Sequence, residues 1–554
     1  MNKNVLFSLS FSVLSFLSCS TTDISRSRDA NVAIQDGNLS LRISQDHSGV
    51  VSFRGSSSSQ SQTTSNGAKI LASTNSSSVV SDLPLTLIAE VAAPSYNGFT
   101  LRATHVTMYG NLVYVSYNYE GDKYLGAVDL IDITNPYAPK LVQSAAFPDI
   151  DISSLIYKDG YLYLAGAKES YSDNGTGPAI LMKMKLNSGN LTTDIETVGM
   201  PGYVATDVIA GSSYVYAVSG SNGIVGAYSL TDTSKKASLA LNDLKAVGVV
   251  NGQVVALQNG TLDVLNSTSL AKNLSFSTSK DVTEAKRTID FYNGNVLAAE
   301  GANGVGIYNL SSGTKMTNIP VPAVVDPSIN PLENVSNAVS INNEYVFVAN
   351  GSAGVAVHKI VSNSIGNLVD FGSLNLSGSA NYVESTNGYV FVAAGFGGLK
   401  ILKMMNVDSN TGQPTTIDCT QYASYSGGSW MNVNSGDNFA YSGAASLSGV
   451  NVNSKLAWCG SLTISDQLNV NSGGEFYMKG SLAFGSAGKS LFVNANSKLR
   501  IEGSLVIFGN LVLNSGATLE FVGTGSTITV MGSVTKGSNV TITGIYTDSF
   551  NSLK

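Results

Sequence analysis

The chain has 554 residues, of which 12% are charged and 43% are apolar, and its formal net charge is −7. A chain of this length exceeds what one hydrophobic core usually serves, so we expect at least two folded units. The absence of any Lys/Arg cluster in the sequence excludes the electrostatic footprint of a nucleic-acid-binding protein. Ser, Thr, Asn and Gly take the place of charged residues, which is typical of extracellular β-rich proteins with many turns.

Residues 1–18 have the pattern of a secretory signal peptide. Lys3 supplies a positive charge, and an uncharged apolar and hydroxyl-rich run follows from Val5 to Ser18. This run is shorter than the ~20 residues that span a bilayer. Residues Leu17–Cys19 resemble a bacterial lipobox, and the resemblance implies lipidation of the Cys19 thiol. We therefore expect a lipid-anchored cell-envelope protein, at the outer membrane or cell surface; the alternative is an ordinary cleaved signal with an incidental cysteine.

Residues 19–82 have the composition of a tether. The Ser/Thr/Gln/Asn run of residues 56–67 offers too little apolar surface to offset its ordering entropy. A short β-like island, Asn38–Ile43, is the exception. As a flexible coil, the segment would reach roughly 45 Å and would hold the folded part away from the lipid surface.

A repeat with a period of about 40 to 50 residues covers positions 83–407. Each unit contains a short β-branched and aromatic strand that follows a turn signal and leads into a second alternating strand. The seven strands of this kind are Leu112–Val115, Tyr161–Leu164, Tyr214–Ala217, Val254–Leu257, Val296–Ala299, Tyr345–Val348 and Tyr389–Val392. Such a period, without a helical pattern, predicts an all-β fold: a β-propeller of about seven blades.

The last unit of the repeat lacks an outer strand, and an extra strand precedes the first unit. This extra strand is Leu85–Val91, and the last unit ends near Asn406. Pairing the two would close the ring and remove the exposed sheet edges of an incomplete blade. The leftover segments therefore predict closure by the N-terminal strand.

The segment Leu130–Val142 resembles the LVIVD repeat of bacterial and archaeal cell-surface proteins. It contains a strand that ends in Asp132-Ile133-Thr134 and a turn with prolines at positions 136 and 139. Gly397–Ile401 matches the preceding strand of that repeat, whereas later units keep the rhythm without the prolines. The resemblance implies a propeller at the cell surface and supplies no catalytic residue.

A shorter rhythm, of about 18 to 25 residues, occupies positions 415–554. Asn-rich corners recur at Asn432–Gly436, Asn451–Lys455, Asn469–Gly473, Asn494–Lys498 and Asn514–Gly516. Gly-Ser-Leu or Gly-Ser-Val triplets lie between them at Gly460, Gly480, Gly503 and Gly532. Short strands with such corners predict a β-solenoid, similar to the passenger-type β-helices of bacterial surface proteins. A small β-sandwich is the alternative.

If Cys19 carries lipid, Cys419 and Cys459 remain in an oxidising compartment where they are free to form a disulfide. The bridge would close a loop of about 41 residues and could stabilise the fold by about 4 kcal/mol. Two unpaired buried thiols are the alternative.

Four tyrosines of the first propeller unit are candidate contact residues: Tyr117, Tyr119, Tyr124 and Tyr137. Tyrosine is favoured at contact surfaces because its side chain is large, stiff and amphipathic. Residues of this type that alternate along a strand also serve as core, so only the exposed ones could bind a glycan or a protein.

Acidic residues and histidines offer weaker candidates. Asp149 and Asp151 could form the carboxylate pair of a glycosidase, and Asp129 and Asp132 flank a strand. The turns 173–175 and 408–412 contain oxygen ligands suited to calcium without the full loop spacing. The three histidines, His47, His105 and His358, show no metal-binding spacing, and we expect no metal or cofactor.

These patterns favour a surface-displayed binding, adhesion or structural protein whose partners are the membrane, through the lipid, and an unknown surface protein or glycan. The alternative is a glycan-active hydrolase or lyase with a site on the propeller or the solenoid. That alternative rests on analogy between folds. Convergence of acidic or histidine side chains at the central mouth of the propeller would favour it.

Overall fold

The fold comes from a computed structural model that describes residues 26–27, 31–36, 39–45, 50–51, 61–63, 69–71, 85–136, 138–169, 177–282, 285–322, 331–374, 376–404, 417, 419, 422–523 and 525–554. Cys19, Tyr137, His47 and the two candidate calcium turns lie outside these ranges. Within them, no helix is long and apolar enough to cross a membrane. The predicted architecture is confirmed: a seven-bladed β-propeller followed by a β-solenoid, so the sandwich alternative is wrong.

The seven blades are antiparallel sheets, numbered in chain order, with strands given from the channel outward. Blades 1 and 2 contain Arg102–Tyr109, Leu112–Asn118, Gly126–Asp132 and Lys140–Phe147, then Ile150–Lys158, Tyr161–Lys168, Ala179–Lys185 and Ile195–Gly199. Blades 3 and 4 contain Ala205–Ala210, Tyr214–Ser219, Gly223–Ser229 and Lys235–Leu241, then Leu244–Val250, Gln253–Gln258, Thr261–Asn266 and Lys272–Ser277. Blades 5 and 6 contain Ile289–Tyr292, Asn295–Ala299, Val305–Asn309 and Lys315–Ile319, then Ala338–Asn342, Tyr345–Ala349, Val355–Val361 and Ser364–Leu374.

Blade 7 is completed by the N-terminal strand, as the sequence predicts. Its strands are Tyr382–Thr386, Tyr389–Ala393, Leu399–Met404 and, outermost, Leu85–Val91. The last two run antiparallel, with Leu399 opposite Val91 and Met404 opposite Leu85. Residues from the two ends of the propeller sequence therefore share one sheet, and the ring is closed by backbone hydrogen bonds.

The second strand of each blade is apolar because a blade packs between two neighbours. In blade 6, Val346, Phe347, Val348 and Ala349 are all buried, so both faces of this strand contact other blades. A strand that is covered on both faces has a continuous apolar sequence rather than an alternation of apolar and polar residues. This explains why the seven motifs with aromatic and β-branched residues are so alike.

The region expected to be a free tether is partly bound to the propeller. Arg26–Ser27 pairs with the outer strand of blade 2, and Ala33–Asp36 pairs with that of blade 1. Ile43–Gln45 and Val50–Val51 pair with the closing strand of blade 7. The expectation of a flexible coil is wrong for these residues, which we call the strap. Their hydrogen-bond partners are blade edges that composition alone does not reveal.

A buried ion pair fixes the strap. Both terminal nitrogens of Arg42 bind the Asp129 carboxylate of blade 1, at 3.1 Å and 2.5 Å. The Asp129 side chain is fully buried and also accepts the Ser144 hydroxyl at 2.6 Å. Arg42 further donates to the carbonyl of Ala92, next to the closing strand. One side chain thus links blade 1 to blade 7.

The remaining short elements of the propeller part are the strands Ser61–Thr63, Lys69–Leu71, Ser95–Tyr96 and Phe99–Thr100, and the 3-10 turns Ser40–Arg42 and Pro331–Glu333. The first two strands pair with each other, as do the next two.

The solenoid stacks its strands in parallel, in about six turns. Its strands are Ala423–Ser424, Trp430–Val433, Asn438–Val452, Lys455–Val470, Glu475–Phe484, Ser490–Val493, Lys498–Ile507, Asn510–Leu513, Thr518–Phe521, Ser526–Val530, Val534–Lys536, Thr541–Thr543 and Tyr546–Asp548. Apolar side chains stack inside; one column contains Leu462, Leu482, Leu505 and Ile528.

The repeated Gly and Asn residues form the corners of the solenoid. Gly460, Gly480 and Gly503 lie directly above one another with φ of 116°, 126° and 130°, which favours glycine. A Cβ on Gly480 would collide with the carbonyl of Gly460. At the next corner, Asn471 donates to the side-chain oxygen of Asn453 at 2.9 Å and accepts from Asn494 at 3.2 Å. Stacked amides therefore repeat from turn to turn.

Two contacts attach the solenoid. Ala483, Val506 and Phe508 belong to the same buried apolar cluster as Leu85 and Met404 of blade 7. The structure also joins Cys419 and Cys459, with their Cα atoms 6.0 Å apart. The bridge ties the segment after blade 7 to the strand Lys455–Val470, at the start of the solenoid.

A chain that begins at residue 100 should fail to unfold cooperatively, or should aggregate, because blade 7 then exposes the edge of Leu399–Met404. A chain that begins at residue 80 keeps the closing strand and should show one cooperative transition in thermal unfolding followed by circular dichroism. It should melt below the full chain because it lacks the strap. Equal melting of the two shortened chains would contradict the role of the closing strand.

The Arg42→Ala variant should lower the free energy of unfolding by about 2–3 kcal/mol, because Asp129 would be left buried without its cation. Denaturant unfolding measures the loss. The matched control is Leu41→Ala, since Leu41 is 91% exposed on the same turn and its removal should have little effect. If the free energy of unfolding of Arg42→Ala equals that of the wild type, the strap does not stabilise the ring.

Candidate functional site

A cavity of about 590 Å³ lies at one mouth of the central channel, where the innermost strands begin. Its volume is in the range of ligand-binding pockets. Every blade contributes to it. The lining residues from the blades are Arg102, Thr104 and Asn118 of blade 1, Ser153 of blade 2, Thr206, Gly220 and Ser221 of blade 3, Leu244 and Lys245 of blade 4, Asn337 of blade 6 and Asn381 of blade 7. Tyr203 and Val204 come from the segment before blade 3, and Ala285, Lys286 and Arg287 come from the segment before blade 5.

The charged residues of this lining are all cationic. They are Arg102, Lys245, Lys286 and Arg287, and the described lining includes neither Asp nor Glu. Clustered charge of one sign in a concave site focuses the electrostatic potential on a ligand of opposite charge. The mouth therefore presents cationic and hydrogen-bonding groups, although the chain as a whole is acidic.

Acidic side chains that are not part of the described lining pair with three of these cations. Arg102 pairs with Glu120 at 3.0 Å, and Lys245 pairs with Asp243 at 3.0 Å. Arg287 pairs with Asp281, and it donates to the side-chain oxygen of Asn337 at 2.9 Å. These contacts neutralise part of the charge and fix the direction in which each cation points.

Lys286 crosses the channel. It begins beside blade 5, yet its ammonium group donates to the carbonyl of Ser153 in blade 2, on the opposite side of the ring. Its Nζ lies 5.9 Å from the ring centre of Tyr382. Burial lowers the pKa of Lys286 to about 8, and the attraction of Asp207 opposes that change. The side chain closes the bottom of the mouth and is mostly charged at neutral pH.

Below Lys286 the channel is filled by packed polar side chains. His105 stacks on Tyr382 with ring centres 3.8 Å apart, and the Tyr382 hydroxyl donates to Glu384 at 3.0 Å. Burial lowers the pKa of His105 well below its usual range, with help from Lys286, so the imidazole is neutral. Burial, together with Asp290, raises the pKa of Glu384 to about 7.

Two further carboxylates of the channel join neighbouring blades. Asp207 of blade 3 accepts the Ser154 hydroxyl of blade 2 at 2.7 Å and the Val247 amide of blade 4 at 3.0 Å. Asp290 of blade 5 accepts the Ile341 amide of blade 6 at 2.7 Å. Each carboxylate therefore accepts hydrogen bonds from backbone or hydroxyl groups of the ring. Acidic and histidine side chains thus converge in the channel, but below the cavity and in structural contacts.

The predicted tyrosine contacts separate into core and surface. Tyr117 is fully buried inside blade 1, so its assignment as a contact residue is wrong: the inward face of that strand is core. Tyr119 is half-buried and packs edge-on against Phe99, with ring centres 5.1 Å apart. Tyr124 is half-buried in the same loop, whose Glu120 pairs with Arg102 of the mouth. Tyr137 lies outside the described residues.

The other acidic candidates are engaged in structural contacts. Asp149 pairs with Lys168 at 3.4 Å, while Asp151 accepts the Leu125 amide at 3.0 Å. Asp132 accepts the amide of Thr134 in its turn. The described residues contain no group of three or more His, Cys, Asp or Glu side chains placed to hold a metal.

The basic mouth has no local signature in the sequence, because Arg102, Lys245 and the pair Lys286-Arg287 are far apart along the chain. Arg102, Lys245 and Arg287 each lie just before or at the start of an innermost strand. The usable signal was the pair Lys286-Arg287, two adjacent cations in a chain with few charges. Only the ring brings them to one cavity.

Glu384 should make the stability of the propeller depend on pH. Its pKa rises from 4.5 to about 7 on folding, so the native state holds the proton more tightly than the unfolded state. The free energy of unfolding that this protonated carboxyl group contributes is fully present below pH 4.5 and is lost as the pH rises through 7. Relative to Glu384→Gln, the wild type should lose up to about 3 kcal/mol across that window.

Urea unfolding at a series of pH values measures this difference. Glu120→Gln is the control, because the Glu120 side chain is 58% exposed. Parallel pH profiles for the wild type and Glu384→Gln would contradict the buried, protonated carboxyl group.

Comparisons with known proteins add little to the geometry. No protein-family model matches the chain, and neither does any curated protein. The likeness of Leu130–Val142 to the LVIVD repeat therefore stays a prediction.

Solved structures similar to this chain include the WD40 repeats of RRP9, with 12% identity, a TM-score of 0.43, and coverage of 56% of this chain and 96% of that one. The WD40 domain of Neurospora crassa Pan2 has 10% identity, a TM-score of 0.41, and coverage of 55% and 90%. The computationally designed Ika8 protein has 10% identity, a TM-score of 0.35, and coverage of 56% and 98%. At these scores, the similarity carries no argument about function.

Proposed function

We propose that the protein is a lipid-anchored binding protein of the cell envelope, whose propeller receives its ligand in the basic mouth. A propeller is a fold suited to binding or scaffolding. The observation that carries the proposal is the 590 Å³ cavity to which all seven blades contribute. It combines converging polar groups with a concave shape, the usual combination in ligand sites.

The binding function is preferred to the enzymatic one because of what faces the cavity. The described lining presents cations, amides and hydroxyls. Asp207 and Asp290, which an acid–base mechanism could use, accept hydrogen bonds from neighbouring blades instead. The mouth therefore has recognition groups in the place where a glycosidase would present its carboxylates.

The strap supports an arrangement in which the propeller lies near the membrane. Lipid on Cys19 would stand seven residues before Arg26 (26 − 19 = 7), where the chain pairs with blade 2. Seven residues span at most about 25 Å when fully extended. The edge of blade 2 would thus be held close to the lipid headgroups rather than at the end of a long tether.

Lipid anchoring is tested by the Cys19→Ser variant, with Ser20→Ala as the control. In cell fractionation, Cys19→Ser should leave the membrane fraction and lose incorporation of a palmitate analogue, whereas Ser20→Ala should keep both. A Cys19→Ser protein that still labels and sediments with membranes would refute the anchor.

Ligand binding at the mouth is tested with residues 20–554 and isolated cell envelopes. The Ser221→Trp variant places a large side chain in the cavity and should abolish saturable binding. Ser275→Trp is the control, because Ser275 is exposed on the outermost strand of blade 4. Wild-type binding by Ser221→Trp would exclude the mouth as the site.

A further inference from the structure

We infer that the ligand of the mouth is an acidic oligosaccharide, whose carboxylate group is bound by Arg102 and whose hydroxyls are bound by the amides around it. The inference rests on the proposed function and specifies its ligand class. Three features of the cavity support it: the sign of its charge, the kind of neutral groups that accompany the charge, and two exposed aromatic residues.

Arg102 is the most accessible of the three paired cations of the mouth. Its side chain is 28% exposed, against 6% for Arg287 and 3% for Lys245, which are held within the ring. A carboxylate oxygen is a strong acceptor for guanidinium N–H groups, and Arg102 is the arginine of the lining that a ligand can reach.

The neutral groups of the lining suit a polyhydroxylated ligand. Asn118, Asn337 and Asn381 bring amides from three blades, and Ser221 brings a hydroxyl from a fourth. An amide side chain both donates and accepts hydrogen bonds, as a sugar hydroxyl does, whereas a simple inorganic anion offers no donor. The amides of the lining therefore suit a ligand that has both donors and acceptors.

One exposed aromatic side chain lies in the lining of the cavity, and another lies in a turn that is hydrogen-bonded to the residue after Arg102. Tyr203 lines the mouth with 67% of its surface exposed. Phe396, which is 57% exposed, lies in the turn whose Gly395 carbonyl accepts the amide of Ala103, next to Arg102. Exposed rings of this kind provide stiff apolar contact area for the C–H face of a sugar.

Other anionic ligands fit less well. The cations lie in a recess crossed by Lys286 rather than along an extended stripe, so a nucleic-acid backbone or a flat lipid surface could not contact them together. The acidic residues that form ion pairs with three of the cations reduce the net positive charge of the mouth. We therefore expect a ligand recognised by hydrogen bonds and shape as well as by charge.

The test is isothermal titration calorimetry with residues 20–554 and trigalacturonate as the probe. Trigalacturonate should bind saturably, and its methyl ester, which has the same shape without the charge, should bind about tenfold more weakly or not at all. Arg102→Met should weaken trigalacturonate binding by about tenfold as well. The charge-matched control is Lys235→Met, because Lys235 is exposed on the outer strand of blade 3.

Mannose 6-phosphate and a short poly-glutamate peptide distinguish the source of the anion. Binding of trigalacturonate above both supports an acidic sugar with carboxylates. Preference for the phosphate sugar overturns the carboxylate assignment, and preference for the peptide overturns the saccharide. Equal binding of the methyl ester, or unchanged binding by Arg102→Met, overturns the inference.

The two proposals fail separately. Should none of these probes bind while Ser221→Trp still abolishes binding to envelopes, the ligand class is wrong and the mouth remains the site. Should Ser221→Trp bind envelopes normally, the mouth itself is wrong. Circular dichroism of each variant shows whether a loss of binding reflects unfolding.

Discussion

A ring of β-sheets has no free edge only if its first and last strands are hydrogen-bonded to each other. In this protein that joint is the antiparallel pairing of Leu85–Val91 with Leu399–Met404. The rest of the structure depends on it, because a closed ring holds seven innermost strands around one channel and so creates the mouth. The same joint supports the second domain: Leu85 and Met404 share an apolar cluster with Val506 and Phe508 of the solenoid.

In the channel, one set of polar side chains connects the blades while another lines the cavity. Unpaired charge is costly in a poorly solvated interior, so buried carboxylates need donors. Asp207 and Asp290 accept hydrogen bonds from neighbouring blades and thereby connect those blades. At the mouth the cations belong to the described lining of the cavity, whereas their acidic partners do not. This arrangement gives an acidic protein a basic site.

The solenoid covers its sheet edges by stacking each turn on the next. Successive turns pair along parallel strands, and identical residues meet at two corners: glycine on glycine where φ is positive, and asparagine on asparagine where side-chain amides form a ladder. Stacked turns still have two open ends. The Cys419–Cys459 bridge lies at the first of these, and Leu553 is buried near the last. The result is a stiff unit attached to the blade that closes the ring.

Both architectures could be predicted from the sequence because both are repeats: a local pattern of strand and turn, copied many times, is compatible with few folds. The sequence also predicted closure, since Leu85–Val91 and the incomplete last unit were complementary leftovers. It could not show that Arg42 reaches Asp129, that Tyr117 is core, or that Arg102, Lys245 and Arg287 meet in one cavity. The Arg42–Asp129 pair and the three cations of the cavity bring together residues that are 42 to 185 positions apart along the chain. These contacts depend on the angular position of each blade around the axis, a property of the closed ring and not of any single repeat.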